Sequence, residues 1–130
     1  MSQRRLVSSG APWEATAGYS RAVVVGDGCW VAGTTDAGPD GTAAHPGDAG
    51  AQAQAALARI ERALREAGFE LGEVVRTRMY VTDMARSVEV LAAHGEVFGA
   101  IRPASTIVEV GALIEPSLLV EIEADARKTG

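Results

Sequence analysis

Cysteine and histidine are scarce in this chain, and basic residues are outnumbered by acidic ones. The single cysteine, Cys29, cannot form an internal disulfide, and two histidines far apart in the chain give no support to a structural zinc site. The 12 lysines and arginines against 17 acidic residues leave a net charge of −5, whereas nucleic-acid binding needs clustered cations. The sequence therefore predicts no metal site and no nucleic-acid partner.

Long apolar stretches are absent as well. No uninterrupted apolar run approaches membrane-spanning length, and the N-terminal segment MSQRRLVSSG has charge but no apolar core of a secretion signal. What the chain does have is a composition of 47% hydrophobic and 22% charged residues, which is typical of a packed globular protein. We expect a single domain over residues 1–130, without a membrane partner, in the reducing cytoplasm.

Strand-forming segments recur along the chain, separated by loops rich in Gly, Pro and Asp. We expect a short strand at residues 5–7, a loop over SSGAPWEATAG, and a β-hairpin of YSRAVVVGDG and CWVAGTT turned at Gly26 and Gly28. A second loop, DAGPDGTAAHPGD, follows the hairpin. Further strands are expected at residues 73–82, 105–110 and 118–126.

Two helices are predicted between these strands. The first covers residues 49–67, with Asp48 as its N-cap and Gly68 as its C-terminal stop. The second is expected to be capped by Asp83, and its inner stripe is expected to comprise Met84, Val88, Leu91, Gly95 and Phe98. His94 lies at the margin of that stripe, where a packed, hydrogen-bonded histidine and a catalytic one are both possible.

These elements predict an α+β fold, with a mostly antiparallel sheet and both helices on one of its faces. The other face is expected to be polar, because the last strand alternates Val120, Ile122 and Ala124 with Glu121, Glu123 and Asp125. An earlier strand alternates Arg76, Arg78 and Tyr80 with Val75, Thr77, Met79 and Val81. A polar face of this kind suits either solvent or an interface between subunits that contains a ligand cleft.

Four segments together resemble the RidA/YjgF family of enamine and imine deaminases in order and spacing: GYSRAVVVGDGCWVAGTT, VVRTRMYVTDM, RPASTIVEV and LLVEIEADA. The resemblance implies a fold like that of bacterial chorismate mutase and a homotrimer whose sheets form a central barrel. It further implies chemistry without a cofactor, in clefts between subunits. Under this resemblance, Arg76, Arg78, Glu109 and Glu121 face neighbouring subunits or these clefts.

Three positions match cleft residues of that family. Tyr19 corresponds to its cleft tyrosine, Gly33 to the glycine whose backbone lies beside the ligand, and Glu121 to the glutamate that positions the hydrolytic water. The resemblance thus implies that Glu121 and Tyr19 are catalytic residues. Simpler roles for the same side chains are an interface aromatic for Tyr19 and a solvated edge charge for Glu121.

The match breaks in the second-last strand. The deaminases of the family carry an arginine there that clamps the substrate carboxylate, and this chain has Ser105 in its place. Ile107 stands where the family frequently has a cysteine, and Ala32 where it has a serine. A hydroxyl offers one neutral donor where a guanidinium offers two charged ones, so we expect weak binding of 2-aminoacrylate and similar imino acids.

The leading hypothesis is an enzyme that hydrolyses a small imine, enamine or related carbonyl-derived metabolite, or that performs a pathway-specific proton transfer. Glu121 would activate water, nearby hydroxyls would polarise the substrate, and Arg78 or Arg102 would bind an acidic group. The candidate substrate-binding residues are Gly33, Ser105, Thr106, Ile107, Arg78, Arg102 and His94. The alternative is a non-catalytic trimer that binds a metabolite or another protein. Ribonuclease activity is disfavoured by the acidic balance and the lack of a pair of histidines.

Overall fold

The computed structural model describes residues 3–129, in which one sheet is covered on one side by helices. The strands are β1 (Arg4–Val7), β2 (Ala22–Val25), β3 (Gly28–Thr34), β4 (Val74–Val81), β5 (Ala104–Glu109) and β6 (Val120–Arg127). The helices are α1 (Pro12–Ala17), α2 (Ala49–Glu66) and α3 (Ser87–Phe98), with short 3-10 helices at Leu71–Glu73 and Met84–Arg86. The predicted α+β class is confirmed.

The strand order across the sheet is β1-β2-β3-β6-β4-β5. All pairings are antiparallel except β4 with β5, which run parallel because α3 carries the chain back across the sheet between them. The order places β6 in the centre, between β3 and β4, although it comes last in the chain. Residues far apart in sequence therefore meet on β6.

The hydrophobic core lies between the sheet and the two longer helices. α2 packs on β3 and β6, and α3 packs on α2. The alternation predicted for the last strand is confirmed, because Val120, Ile122 and Ala124 are buried against the helices. We call the opposite side of the sheet the open face; it carries Arg78, Tyr80, Glu121, Glu123 and Asp125. No helix among the described residues is both long and apolar enough to cross a membrane.

The first long helix agrees with its prediction. The Asp48 side chain accepts a hydrogen bond from the backbone N–H of Ala51, as an N-cap does. Leu57, Ile60 and Leu64 are buried on its inner side. Gly68 follows the helix with a φ of 86°, a left-handed conformation that favours glycine.

The segment predicted as a loop after the first strand contains the short helix α1. Pro12 occupies the start of the helix, where its missing N–H costs nothing, and Gly18 ends it in the left-handed conformation. The carboxylate of Glu14 accepts hydrogen bonds from the side chains of Ser8 and Ser9 and from the backbone N–H of Ser9. These contacts tie the helix to the preceding loop, and short-range sequence patterns do not reveal them.

The predicted inner stripe of the second helix is wrong apart from Phe98. Val90, Ala93 and Phe98 are buried, whereas Met84, Val88 and Leu91 are exposed. The segment contains two apolar stripes at helical spacing, and the one with the small Ala93 faces α2 and allows close packing. Asp83 caps the 3-10 turn Met84–Arg86 before the helix, not the helix itself.

Two strand faces also differ from expectation. The pairing of β4 with β6 shifts between Val74 and Arg76, so Val74 is buried and Val75 is 45% exposed. Glu109, expected toward a neighbouring subunit, lies on the helix side of β5, where its carboxylate accepts a hydrogen bond from the backbone N–H of Met84. The last residue of β5 is therefore hydrogen-bonded to the first residue of the Met84–Arg86 turn.

Candidate functional site

Glu121 and Gly33 lie against each other on the open face. Regular pairing between β3 and β6 is interrupted between Val31 and Thr34, and this irregularity brings Gly33 to the Glu121 side chain. A Cβ atom on Gly33 would overlap the carboxylate of Glu121 and lie 2.9 Å from its Cδ. The absence of a side chain on Gly33 therefore makes room for the carboxylate.

Arg21 links these two residues to Tyr19. Its Nη2 donates a 2.7 Å hydrogen bond to the backbone carbonyl of Gly33, and its guanidinium carbon lies 5.9 Å from the centroid of the Tyr19 ring. Its Nε is buried and has no hydrogen-bond partner among residues 3–129. The arginine thus fixes the peptide group of Gly33 and brings a positive charge close to Glu121.

The electrostatics of Glu121 favour the protonated form more than in a free side chain. Burial raises the pKa of Glu121, the Arg21 guanidinium lowers it, and the negative charge of Glu123 raises it again, with a net upward shift. A carboxylate with a raised pKa holds a proton more tightly, which makes it a stronger general base.

Arg78 is neutralised by acidic neighbours on the same face. Its Nη1 lies 3.4 Å from a carboxylate oxygen of Glu123 and 3.3 Å from one of Asp125. The hydroxyl of Tyr80 donates a 2.9 Å hydrogen bond to Glu123, and burial together with this carboxylate raises the pKa of Tyr80. With both carboxylates in place, Arg78 is a weaker anion-binding residue than the sequence pattern indicated.

An open depression of about 740 Å³ connects Tyr19 with this charged group. Its lining includes Tyr19, Trp30, Ala32, Arg78, Glu123 and Asp125. The walls combine aromatic, apolar and charged surfaces, and neither Glu121 nor Gly33 is among the residues that line them. Within the described residues, no three His, Cys, Asp or Glu side chains lie close enough to hold a metal ion.

The remaining candidate residues do not join Glu121 within one chain. Ser105 pairs with Thr77 on β4, and Thr77 faces the core, so Ser105, Ile107 and His94 lie on the helix side. Thr106 alternates to the open face on the edge strand. Arg102 is exposed in the turn before β5, with a left-handed φ of 58°.

Sequence reasoning missed Arg21 as part of this group. Strand alternation contained the signal, since Arg21 is two residues after Tyr19 and two before Val23, which shares a face with Trp30. The position of the guanidinium over Gly33 depends on the pairing of two strands and was not evident from the segment alone.

The chain is similar to a group of known proteins along most of its length. Residues 9–128 match the family described as Endoribonuclease L-PSP. A RutC family protein of Pyrococcus abyssi is 34% identical over 110 residues, which is 85% of this chain and 86% of that protein.

Solved structures give the same result. A member of the YjgF/YER057c/UK114 family from Mycobacterium tuberculosis superimposes with a TM-score of 0.88 at 52% identity, covering 97% of this chain and 100% of that one. The YjgF gene product of E. coli superimposes with a TM-score of 0.82 at 27% identity, covering 96% of this chain and 99% of that one.

Proposed function

The chain belongs to the family described as Endoribonuclease L-PSP, which includes YjgF and Rid proteins, and from this premise we propose that it hydrolyses a small imine or enamine at clefts between the subunits of a homotrimer. The observation that carries the proposal is the Glu121 carboxylate, which lies over Gly33 with a raised pKa and beside the guanidinium of Arg21. This placement supports a general base next to a backbone group that can bind substrate.

The proposed reaction adds water across a carbon–nitrogen double bond. An enamine first tautomerises to the imine. Glu121 takes a proton from water, the hydroxide oxygen bonds to the imine carbon, and the protonated Glu121 gives the proton to the nitrogen. Collapse of the resulting carbinolamine breaks the carbon–nitrogen bond and gives a carbonyl product and ammonia, and no oxidant or cofactor is needed. The Tyr19 hydroxyl and the peptide of Gly33 would orient the substrate, and Arg21 would keep that peptide in place.

A homotrimer is part of the proposal because one chain separates the candidate residues. Glu121, Gly33 and Tyr19 lie on the open face, whereas Ser105 and Ile107 lie on the helix side of the edge strand β5. Contact between the edge strand of one subunit and the open face of the next, at Glu121 and Gly33, would bring the two sets together. Such an arrangement would also explain why an open face carries exposed apolar side chains.

The charges around the site favour substrates that are imines with little or no negative charge. Ser105 offers a neutral hydroxyl at the position of the family's carboxylate clamp, and Arg78 already faces Glu123 and Asp125. We therefore expect slower turnover of 2-aminoacrylate than of uncharged small imines.

The experiment compares Glu121→Gln with wild type on small imines generated in place by an amine or amino-acid oxidase. The amide is nearly isosteric but cannot accept the proton, so kcat/KM should fall by about 100-fold or more. Glu66→Gln is the matched control, because Glu66 is an exposed glutamate on α2, on the other side of the sheet, and its kcat/KM should be unchanged. Equal turnover by Glu121→Gln and wild type would overturn the proposal and favour a metabolite-binding trimer without catalysis.

A further inference from the structure

A chain of hydrogen-bonding side chains crosses from the edge strand to α3 on the helix side of the sheet. The Oγ1 atom of Thr77 lies 2.8 Å from Ser105 Oγ and 2.8 Å from His94 Nε2. Thr77 is fully buried, His94 packs with its ring centroid 4.8 Å from that of Phe98, and Ser105 is exposed. One end of the chain is thus reachable from outside, while the other is an imidazole held in place by packing.

This geometry allows a proton to pass from Ser105 to His94. In the structure the Thr77 hydroxyl donates to Ser105 Oγ. Each hydroxyl can both donate and accept, so rotation of the two hydroxyls lets Ser105 donate to Thr77 while Thr77 donates to the imidazole nitrogen. Burial lowers the pKa of His94, and no charged group contributes to the shift, so the ring is neutral near pH 7 and able to accept a proton. Phe98 packs against the ring, and both hydroxyl partners are uncharged.

The surroundings of Ser105 suit a reacting hydroxyl. Its strand, β5, pairs only with β4 and forms an edge of the sheet, and an edge strand presents backbone N–H groups without partners in the sheet. Such groups can stabilise an oxyanion beside the serine. The candidate base Glu121 of the same chain lies on the opposite face and does not participate.

We propose that Ser105 is a nucleophile, activated through Thr77 by His94, that accepts acyl groups from small activated esters. Ser105 Oγ bonds to the ester carbonyl carbon while its proton passes to Thr77 and the proton of Thr77 passes to His94. The carbon–oxygen bond of the leaving group then breaks, the departing phenolate leaves as the anion, and the partly exposed His94 releases its proton to solvent. The product is an acyl-serine.

The test uses the full-length chain and p-nitrophenyl acetate, with nitrophenolate release as the rate and peptide mass spectrometry as the site assignment. Acetylation should occur at Ser105 and not at Thr106, the adjacent hydroxyl on the other face. Thr77→Val and His94→Gln should each lower the rate at Ser105 by about 100-fold, because neither can relay or accept the proton. Thr77→Ser keeps the hydroxyl and should stay within about threefold of wild type.

The pH profile separates activation from a merely structural role. The wild-type rate should fall as pH drops through the His94 pKa, below the ordinary histidine value of about 6.5, and His94→Gln should show no such step. Circular dichroism establishes that each variant is folded. No acetyl group on Ser105, or an equal rate in folded Thr77→Val, would overturn the proposal. Imine turnover is not measured, so failure here leaves the proposed hydrolysis untouched.

Discussion

Gly33 has only a hydrogen atom where other residues have a side chain, and the Glu121 carboxylate occupies the space beside it. A methyl group on Gly33 would meet the end of a flexible side chain and not the backbone, and Gly33 does not have a positive φ. Gly33→Ala should therefore displace the carboxylate at a cost of about 1 kcal/mol or less in the free energy of unfolding. kcat/KM on small imines should nevertheless fall about tenfold or more, because the base is moved from its place.

The control for this substitution is Gly95→Ala. Gly95 lies on the exposed side of α3, where an added methyl group would meet only open space. The variant should therefore keep wild-type kcat/KM and lose no stability. Gly33→Ala with full activity would mean that the carboxylate does not need its observed position.

The raised pKa of Glu121 also predicts a pH-dependent stability difference. A carboxyl whose folded-state pKa lies above its unfolded value of about 4.3 stabilises the fold at pH values below both, and this contribution is lost as pH rises through the folded pKa. Glu121→Gln removes the cost of burying the charge. Its melting temperature should exceed that of wild type at pH 8, and the difference should vanish near pH 4. A difference that is the same at both pH values would contradict this account.

At the residue scale, part of the candidate site could be predicted from the sequence. Strand alternation predicted that Glu121 lies on the open face; there it contacts Gly33, and Arg21 links Gly33 to Tyr19. The catalytic and binding roles that the resemblance implied for these residues stay predictions. The contacts of Ser105 could not be predicted, since they depend on a parallel neighbour 28 residues earlier in the chain. Which face of an edge strand meets the core is decided by that pairing.

At the element scale, sequence patterns predicted well which helices and strands form. They predicted less well how these elements pack against one another. α2 has a cap, a buried stripe and a stop within its own residues, and all of these signals are local. The orientation of α3 was decided by packing against α2, and the bulge of β4 by pairing with β6. Both are tertiary effects that override local periodicity.

The side chain of Gln52 on α2 forms hydrogen bonds with two loops. Its side chain is fully buried, and its amide nitrogen donates to the carbonyls of His45 and Ser117 at 3.1 and 3.0 Å. Its amide oxygen accepts a 2.8 Å hydrogen bond from the backbone N–H of Leu119. All polar atoms of the buried amide are thereby used by backbone groups of loops on either side.

Gln52→Leu should lower the free energy of unfolding by about 3 kcal/mol or more, because it leaves buried backbone groups without partners. Urea denaturation followed by circular dichroism measures the change. Gln54→Leu makes the same substitution at an exposed position of the same helix and should alter stability by about 0.5 kcal/mol or less. Equal effects of the two variants would show that the hydrogen bonds of Gln52 do not hold the loops.

At the scale of the whole molecule, the sheet has one face covered by helices and one face that remains open. A row of paired residues crosses this open face, in the order Leu6, Val23, Trp30, Asp125 and Arg76. Leu6 is 58% exposed and Trp30 is 44% exposed, although both are large apolar side chains. An apolar cluster next to paired charges is typical of a surface that another subunit covers.

We therefore expect the chain to sediment at three times its 13.4 kDa mass at micromolar concentration. Trp30→Glu places a charge in the middle of the apolar row and should dissociate the assembly toward monomers, because an unpaired carboxylate is costly to bury. Ala58→Glu adds the same charge on the exposed side of α2, away from the open face, and should leave the trimer intact. A monomeric wild type would refute the assembly, and a trimeric Trp30→Glu would place the subunit contacts elsewhere than on the open face.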